Sequence, residues 1–160
     1  MEVVNVYDHA LRFDEDDLPG FHVGYARLGP LLGASLLGMT IYELPPGKRI
    51  CPYHYEYGNE EWLLVVSGRP TLRTPEGERE LEPGDVVCFP EGPEGAHSVA
   101  AAGDATSRED TVRVVMLSTK NRPDVSIYPD SDKFGVFPGN PEDERVFRRG
   151  DAVDYYDGEL

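Results

Sequence analysis

Four side chains in this sequence have the types and spacing to hold a metal ion: His54 and Glu56, then Glu61, then His97 after a long interval. Imidazole nitrogens and carboxylate oxygens are ligands for divalent transition metals. On an extended strand, residues i and i+2 project from the same face about 6.6 Å apart. His54 and Glu56 are therefore expected to point together into an interior, with Tyr53, Tyr55 and Tyr57 facing the other way. Tyr57-Gly58-Asn59-Glu60 reads as a turn, after which Glu61 opens a strand whose inward positions continue at Leu63 and Val65. A Glu directly before the apolar run Trp62 to Val66 is costly to bury unless it is paired or bound to a cation. His97 follows the glycine-rich loop Pro90 to Ala96, at the start of a further candidate strand, and could enter from across the cavity.

Positioning such a set requires strands, and the middle of the chain supplies them. β-rich runs at Met39 to Leu44, Trp62 to Val66, Thr71 to Thr74, Val86 to Phe89 and Val112 to Leu117 alternate with dense turn signals. Pro45-Pro46-Gly47, Ser67-Gly68, Pro75-Glu76-Gly77-Glu78, Pro83-Gly84-Asp85 and Pro90-Glu91-Gly92-Pro93 each offer a φ > 0 position or a fixed φ for tight reversal. Many short strands with hardly any sustained helical periodicity predict an all-β sandwich or barrel. Thr71 to Leu81 reads as a hairpin with Leu72 and Leu81 as its apolar markers, and Ala100 to Asp110 as a mobile surface loop. Gly47, Gly68, Gly84 and Gly92 read as turn formers, since no helix start follows them to cradle a phosphate.

The order of these residues resembles the cupin superfamily. Its first motif reads Gly, five residues, His-x-His, three or four residues, Glu, six residues, Gly, and here runs from Gly47 to Gly68. Glu61 fits with Gly68 after six residues, and His54 follows Gly47 after six residues instead of five. The second motif, Gly, five residues, Pro-x-Gly, two residues, His, is matched by Gly84, Pro90-Glu91-Gly92 and, with two extra residues, His97. The Asn expected four residues beyond that His is Ala101. The ending Arg148-Arg149-Gly150-Asp151-Ala152-Val153-Asp154-Tyr155-Tyr156-Asp157-Gly158-Glu159 is similar to that of small stand-alone cupins, which extends the likeness over most of the chain.

The resemblance implies an all-β, double-stranded β-helix (cupin, or jelly-roll) barrel with irregular N- and C-terminal arms: an arm over 1–35, a barrel core over 36–120, and an extension of the same domain over 121–160. It implies a homodimer, which would also cover the exposed edges that small β-sandwiches carry. It also implies one divalent transition metal (Mn, Fe or Zn) held by His54, Glu56, Glu61 and His97. Glu56 stands where the family has its second motif His, and three readings follow. Glu56 ligates the ion; or it is a free base beside a two-His-one-carboxylate triad; or the substitution marks loss of the metal. For function, the resemblance implies a metal-dependent enzyme acting on a small polar molecule, with oxygen-dependent cleavage and sugar or sugar-phosphate isomerisation as the reactions suggested. A non-catalytic small-molecule binding or sensing module is the alternative, since the fold chooses none of these.

Composition narrows the partners. The 160 residues carry 30 acidic against 15 basic side chains, for a net charge of −15. Such a surface repels phosphate backbones and anionic lipid, so nucleic-acid and membrane partners are set aside and a small-molecule ligand is expected. Scarce lysine (Lys48, Lys120 and Lys133) among abundant acids suits a high-salt cytosol, or drift toward Arg in a GC-rich genome. No apolar run reaches the roughly 18 residues of a spanning helix, and the start lacks an export pattern, so a cytoplasmic location is expected. Cys51 and Cys88 are expected reduced, with Cys51 a small buried side chain. Trp62, out of phase with Glu61, is expected under an end segment or at a subunit interface. Arg49, Arg69 and Arg73 are candidates to hold an anionic substrate, while Arg148 and Arg149 are expected to pair with the protein's own acids. His9 and His22 have no ligand spacing and receive no role.

Overall fold

The computed structural model describes residues 1–103 and 111–159. In chain order the elements are β1 (Gly24–Arg27), a one-turn helix α1 (Leu28–Leu31), β2 (Leu37–Leu44), β3 (Tyr55–Glu56), β4 (Glu61–Ser67), β5 (Pro70–Thr74), β6 (Gly77–Glu80), β7 (Val86–Phe89), β8 (Ser98–Ala101), β9 (Val112–Thr119), β10 (Asp124–Tyr128), β11 (Lys133–Phe137) and β12 (Arg145–Arg148). They form a five-stranded sheet in the order β1-β2-β9-β4-β7, a three-stranded sheet β6-β5-β8, and a four-stranded sheet β12-β11-β10-β3. The strand pairings are antiparallel, and the protein is all-β.

Side-chain alternation explains how the first two sheets pack. Leu63 and Val65 of β4, Val112, Val114 and Met116 of β9, and Phe89 of β7 meet Leu72, Val99 and Ala101 of the smaller sheet in one core. The opposite phase of β9 and β2, Val115 and Ile41, packs outward under Leu28, Val4, Val6 and Leu11 of the N-terminal segment. Strand β9 is thus covered on both faces, which is why its sequence is a nearly unbroken apolar run. The hairpin of β5 and β6 has the expected register, and Leu72 and Leu81 are both fully buried. At its start, Gly68 adopts φ +76°, and a Cβ there would lie 2.7 Å from the Thr111 carbonyl oxygen, so the reversal needs glycine.

Two features differ from the sequence reading. The C-terminal segment is more regular than its texture suggests: β10, β11 and β12 form an antiparallel meander that docks on β3 through Ser126 opposite Glu56 and Ile127 opposite Tyr55. Ala100 and Ala101, expected in a surface loop, pair with Thr71 and Pro70 as part of β8; residues 104–110 of that expected loop lie outside the described residues. Among the described residues, no helix is long and apolar enough to cross a membrane.

Candidate metal centre

His54, Glu61 and His97 converge. His54 and His97 face each other across a two-residue backbone bridge, with His54 N–H donating to the His97 carbonyl at 3.1 Å and His97 N–H returning to His54 at 2.8 Å. Glu61, the first residue of β4, pairs with Phe89 on one side and Ser118 on the other, and points inward in phase with Leu63 and Val65. Its Oε2 lies 3.6 Å from His54 Nε2 and 3.4 Å from His97 Nε2. One ligand atom from each of the three residues falls within 4.8 Å of the others. The expected arrangement of His54 and Glu56 along one strand is only half realised: β3 holds Tyr55 and Glu56, while His54 sits just before it in the bridge to His97.

Local contacts fix which nitrogen each imidazole presents. His54 Nδ1 lies 3.0 Å from the Pro52 carbonyl and His97 Nδ1 2.9 Å from that of Gly95, so Nδ1–H donates in both and the Nε2 lone pairs face Glu61. The 3-10 turn Pro93–Gly95 sets the second carbonyl, and a Cβ on Gly95 would run into the Pro90 carbonyl. The rings are walled in: His97 stacks on Phe89 at 3.7 Å and 8°, and His54 on Tyr128 at 5.9 Å and 19°. Cys51 Sγ sits 3.6 Å from His54 Nδ1, the side away from Glu61. Both cysteines are free, and burial pushes the Cys51 thiol up to about 12.

This arrangement leaves buried polar atoms unpartnered. Glu61 Oε2 and His97 Nε2 have no hydrogen-bond partner. Burial pushes the Glu61 carboxyl up to about 8, reinforced by Glu56 and Asp124, and pushes the His97 imidazole down to about 3, reinforced by His54. Burial also lowers His54. Buried polar atoms without partners are costly. A cation between them removes the cost. A tetrahedral ion with bonds of about 2.0–2.2 Å has ligand-to-ligand edges of roughly 3.3–3.6 Å, the range that separates Glu61 from the two imidazoles. The donor set therefore fits a divalent metal.

Glu56 is not brought into that group. Its carboxylate lies beside Asn59 and Ser126, and Oε2 is left buried and unpartnered. Burial and the nearby Asp124 push it up to about 7. Asp124 is itself buried and accepts from the Gly58 amide at 2.9 Å. Tyr55 faces away from the site and packs with Ala96 and Ile127.

Of the other singled-out residues, Arg69 is held by Glu80 and Glu82, and Arg73 is clamped by Asp130 at 2.6 and 2.9 Å over the Tyr53 ring. Both are ion-paired with the protein's own acids. Trp62 is 42% exposed rather than covered by an end segment, and its indole N–H donates to Glu60. Arg149 pairs with Asp132 as expected, whereas Arg148 has no ion pair among the described residues. Sequence reasoning gave no role to Tyr128, Asp124 or Ser126, because only the pairing of β10 with β3 carries them to the site, nor to Asn59 in the turn before β4.

The fold and this cluster define an antiparallel jelly-roll barrel with a His/His/Glu set in its interior. Residues 40–109, which contain both sequence motifs, match the model of the cupin domain family. A structure from Acidithiobacillus ferrooxidans, provisionally named a sugar phosphate isomerase, is 26% identical over 85% of this chain and 82% of that one, with a TM-score of 0.74. A cupin sugar phosphate isomerase from Silicibacter pomeroyi is 20% identical, with 98% of each chain covered and a TM-score of 0.77. A polyketide cyclase from Streptomyces resistomycificus is 22% identical over 77% of this chain and 82% of that one, at a TM-score of 0.59. No curated protein matches the sequence.

Proposed function

We propose that this chain is a metal-dependent enzyme that isomerises a small hydroxy-carbonyl compound of the sugar class. His54 Nε2, Glu61 Oε2 and His97 Nε2 would hold one divalent ion, with manganese, iron or zinc favoured by the mixed nitrogen and oxygen donors. The observation that carries this reading is the convergence of three buried donor atoms, two of which lack any hydrogen-bond partner. With one carboxylate among three ligands, the ion would keep net positive charge and polarise a substrate carbonyl.

Glu56 then takes the role of proton carrier. Its Oε2 is buried, unpartnered and outside the ligand group, so it would take the proton from the hydroxyl-bearing carbon and return it to the former carbonyl carbon, while the hydroxyl proton passes to the former carbonyl oxygen. Asn59 and Ser126 flank the carboxylate. Proton transfer needs no oxygen, and the likeness to the Acidithiobacillus protein supports isomerisation over oxygen-dependent cleavage. The test is elemental analysis of protein purified without a metal-chelating tag, followed by anaerobic aldose–ketose interconversion assays. Close to one transition metal per chain, lost in His97→Ala, and turnover without dioxygen are expected. Metal-free protein after reconstitution would overturn the reading.

A homodimer is part of the same proposal. The outer face of the five-stranded sheet is covered on one side by Val4, Val6 and Leu11. Elsewhere Leu37, Trp62, Leu64, Val86 and Leu117 line an apolar groove of about 350 Å³, in which Leu37, Trp62 and Val86 are exposed. A second copy would cover them. The reduced cysteines and a cytoplasmic location belong to this proposal too.

A further inference from the structure

The four-stranded sheet extends from the candidate metal centre to the surface, and its register sets what it carries. Ser126 lies opposite Glu56 on one side and Gly135 on the other, and Gly135 lies opposite Val146. One step along, Tyr128 lies opposite Lys133, and Lys133 opposite Arg148. Directly opposed residues share a face, as do residues i and i+2. Glu56, Ser126, Tyr128, Lys133 and Arg148 thus stand on one face, the face on which the Tyr128 ring stacks against His54. Gly135 admits the Phe137 ring over that face, where a Cβ would lie 2.6 Å from it.

Lys133 and Arg148 are the anomaly. Like charges set directly opposite on neighbouring strands are destabilising. In a chain with 30 acidic side chains, neutralising partners are plentiful. Yet among the described residues neither forms an ion pair, and the recorded contact of the Lys133 ammonium is with the Tyr128 ring, 5.6 Å from its centroid. Their neighbours differ. Arg149 reaches Asp132, and Arg145, on the opposite face of β12, donates to the Glu142 and Glu144 carbonyls. Two unneutralised cations side by side, reached from His54 across a single aromatic ring, fit a dianion.

We propose that Lys133 and Arg148 bind the phosphate of the substrate, and that the substrate is a small phosphate monoester. This rests on the reading of His54, Glu61 and His97 as the metal centre and deepens it. A phosphate monoester carries about −1.5 to −2 charge at pH 7, which matches the pair, whereas one carboxylate leaves a cation unneutralised. Arg148 supplies the planar fork that suits phosphate oxygens, and Lys133 a mobile point charge. The Tyr128 ring is common to both ends, its centroid 5.9 Å from that of His54 and 5.6 Å from Lys133 Nζ.

The test titrates chelator-treated protein with inorganic phosphate, ribose 5-phosphate and ribose, following binding by calorimetry. Phosphate and ribose 5-phosphate are expected to bind and ribose not. Lys133→Gln and Arg148→Gln should each weaken phosphate binding about tenfold, while Arg145→Gln on the opposite face leaves it unchanged. Equal affinity in all four proteins, or no phosphate binding by the wild type, overturns the proposal. His97→Ala separates the two readings, since it removes the metal and should keep phosphate affinity. Stoichiometric metal with phosphate binding indifferent to Lys133 and Arg148 sinks the phosphate site alone. Phosphate binding lost in those variants, in a protein that never takes up metal, sinks the metal centre alone.

Discussion

Replacing Glu61 with Gln should stabilise the metal-free protein at neutral to alkaline pH while removing its response to metal. The Glu61 carboxyl is raised from 4.5 to about 8, first by burial and then by Glu56 and Asp124. The folded state therefore holds a proton that the unfolded chain has released. Stability tied to this group is fully present below pH 4.5 and is lost as pH rises toward 8. At about 1.4 kcal/mol per pH unit, the loss is on the order of 5 kcal/mol. Glu61→Gln has no such loss, and its amide can donate to the bare His97 Nε2. The lowered His97 and His54 act in the other direction, since their contribution is lost as pH falls below about 6.5. Above about pH 7 both imidazoles are neutral folded and unfolded, so the pH dependence there isolates Glu61. Urea unfolding in chelator at intervals from pH 5 to 9 measures the difference, which should widen with pH in favour of the variant. Adding zinc or manganese at about 100 times its Kd should return roughly 2.7 kcal/mol to the wild type and much less to the variant. Parallel pH profiles for the two metal-free proteins would refute the account of Glu61 as a buried, uncompensated carboxyl.

Glu56→Gln should keep metal content near that of the wild type and lower turnover about 10²–10⁴-fold, read by metal analysis and steady-state kinetics on one preparation. Leu72→Ala empties a fully buried position between the two sheets and should cost about 2–5 kcal/mol in chemical unfolding. Gly68→Ala combines φ +76° with a Cβ 2.7 Å from the Thr111 carbonyl oxygen, so a loss of about 1–3 kcal/mol is expected, visible as a lower melting temperature. Trp62→Glu should convert a dimer to monomer in sedimentation velocity without changing metal content, and an unchanged assembly would argue against that face as the interface.

The barrel strands were legible because alternation is a local signal. Leu63 and Val65 are inward and Trp62 outward, as period-two reading of β4 requires. His54, Glu61 and His97 were legible through motif spacing, although their meeting depends on a cross-strand bridge that no local pattern encodes. Glu56 shows the limit of parity: an i+2 rule speaks only to its side of the strand, whereas Asn59, Asp124 and Ser126, which surround its carboxyl, come from separate segments. The strands Asp124–Tyr128 and Lys133–Phe137 were missed because each is short, interrupted by charge or glycine, and stabilised by pairing with its neighbours rather than by its own apolar run. Arg148 was assigned to the protein's own acids for the same reason, since only register reveals that it faces Lys133.

The sandwich of Phe89 and His97, parallel to within 8° at 3.7 Å, also equips the molecule with a built-in spectroscopic signal. The imidazole carbon-bound protons lie over the phenyl face, inside its ring current, so their resonances should fall upfield of those of an exposed histidine. Any movement of that ring on ion capture or ligand entry would then be readable by proton magnetic resonance without a label.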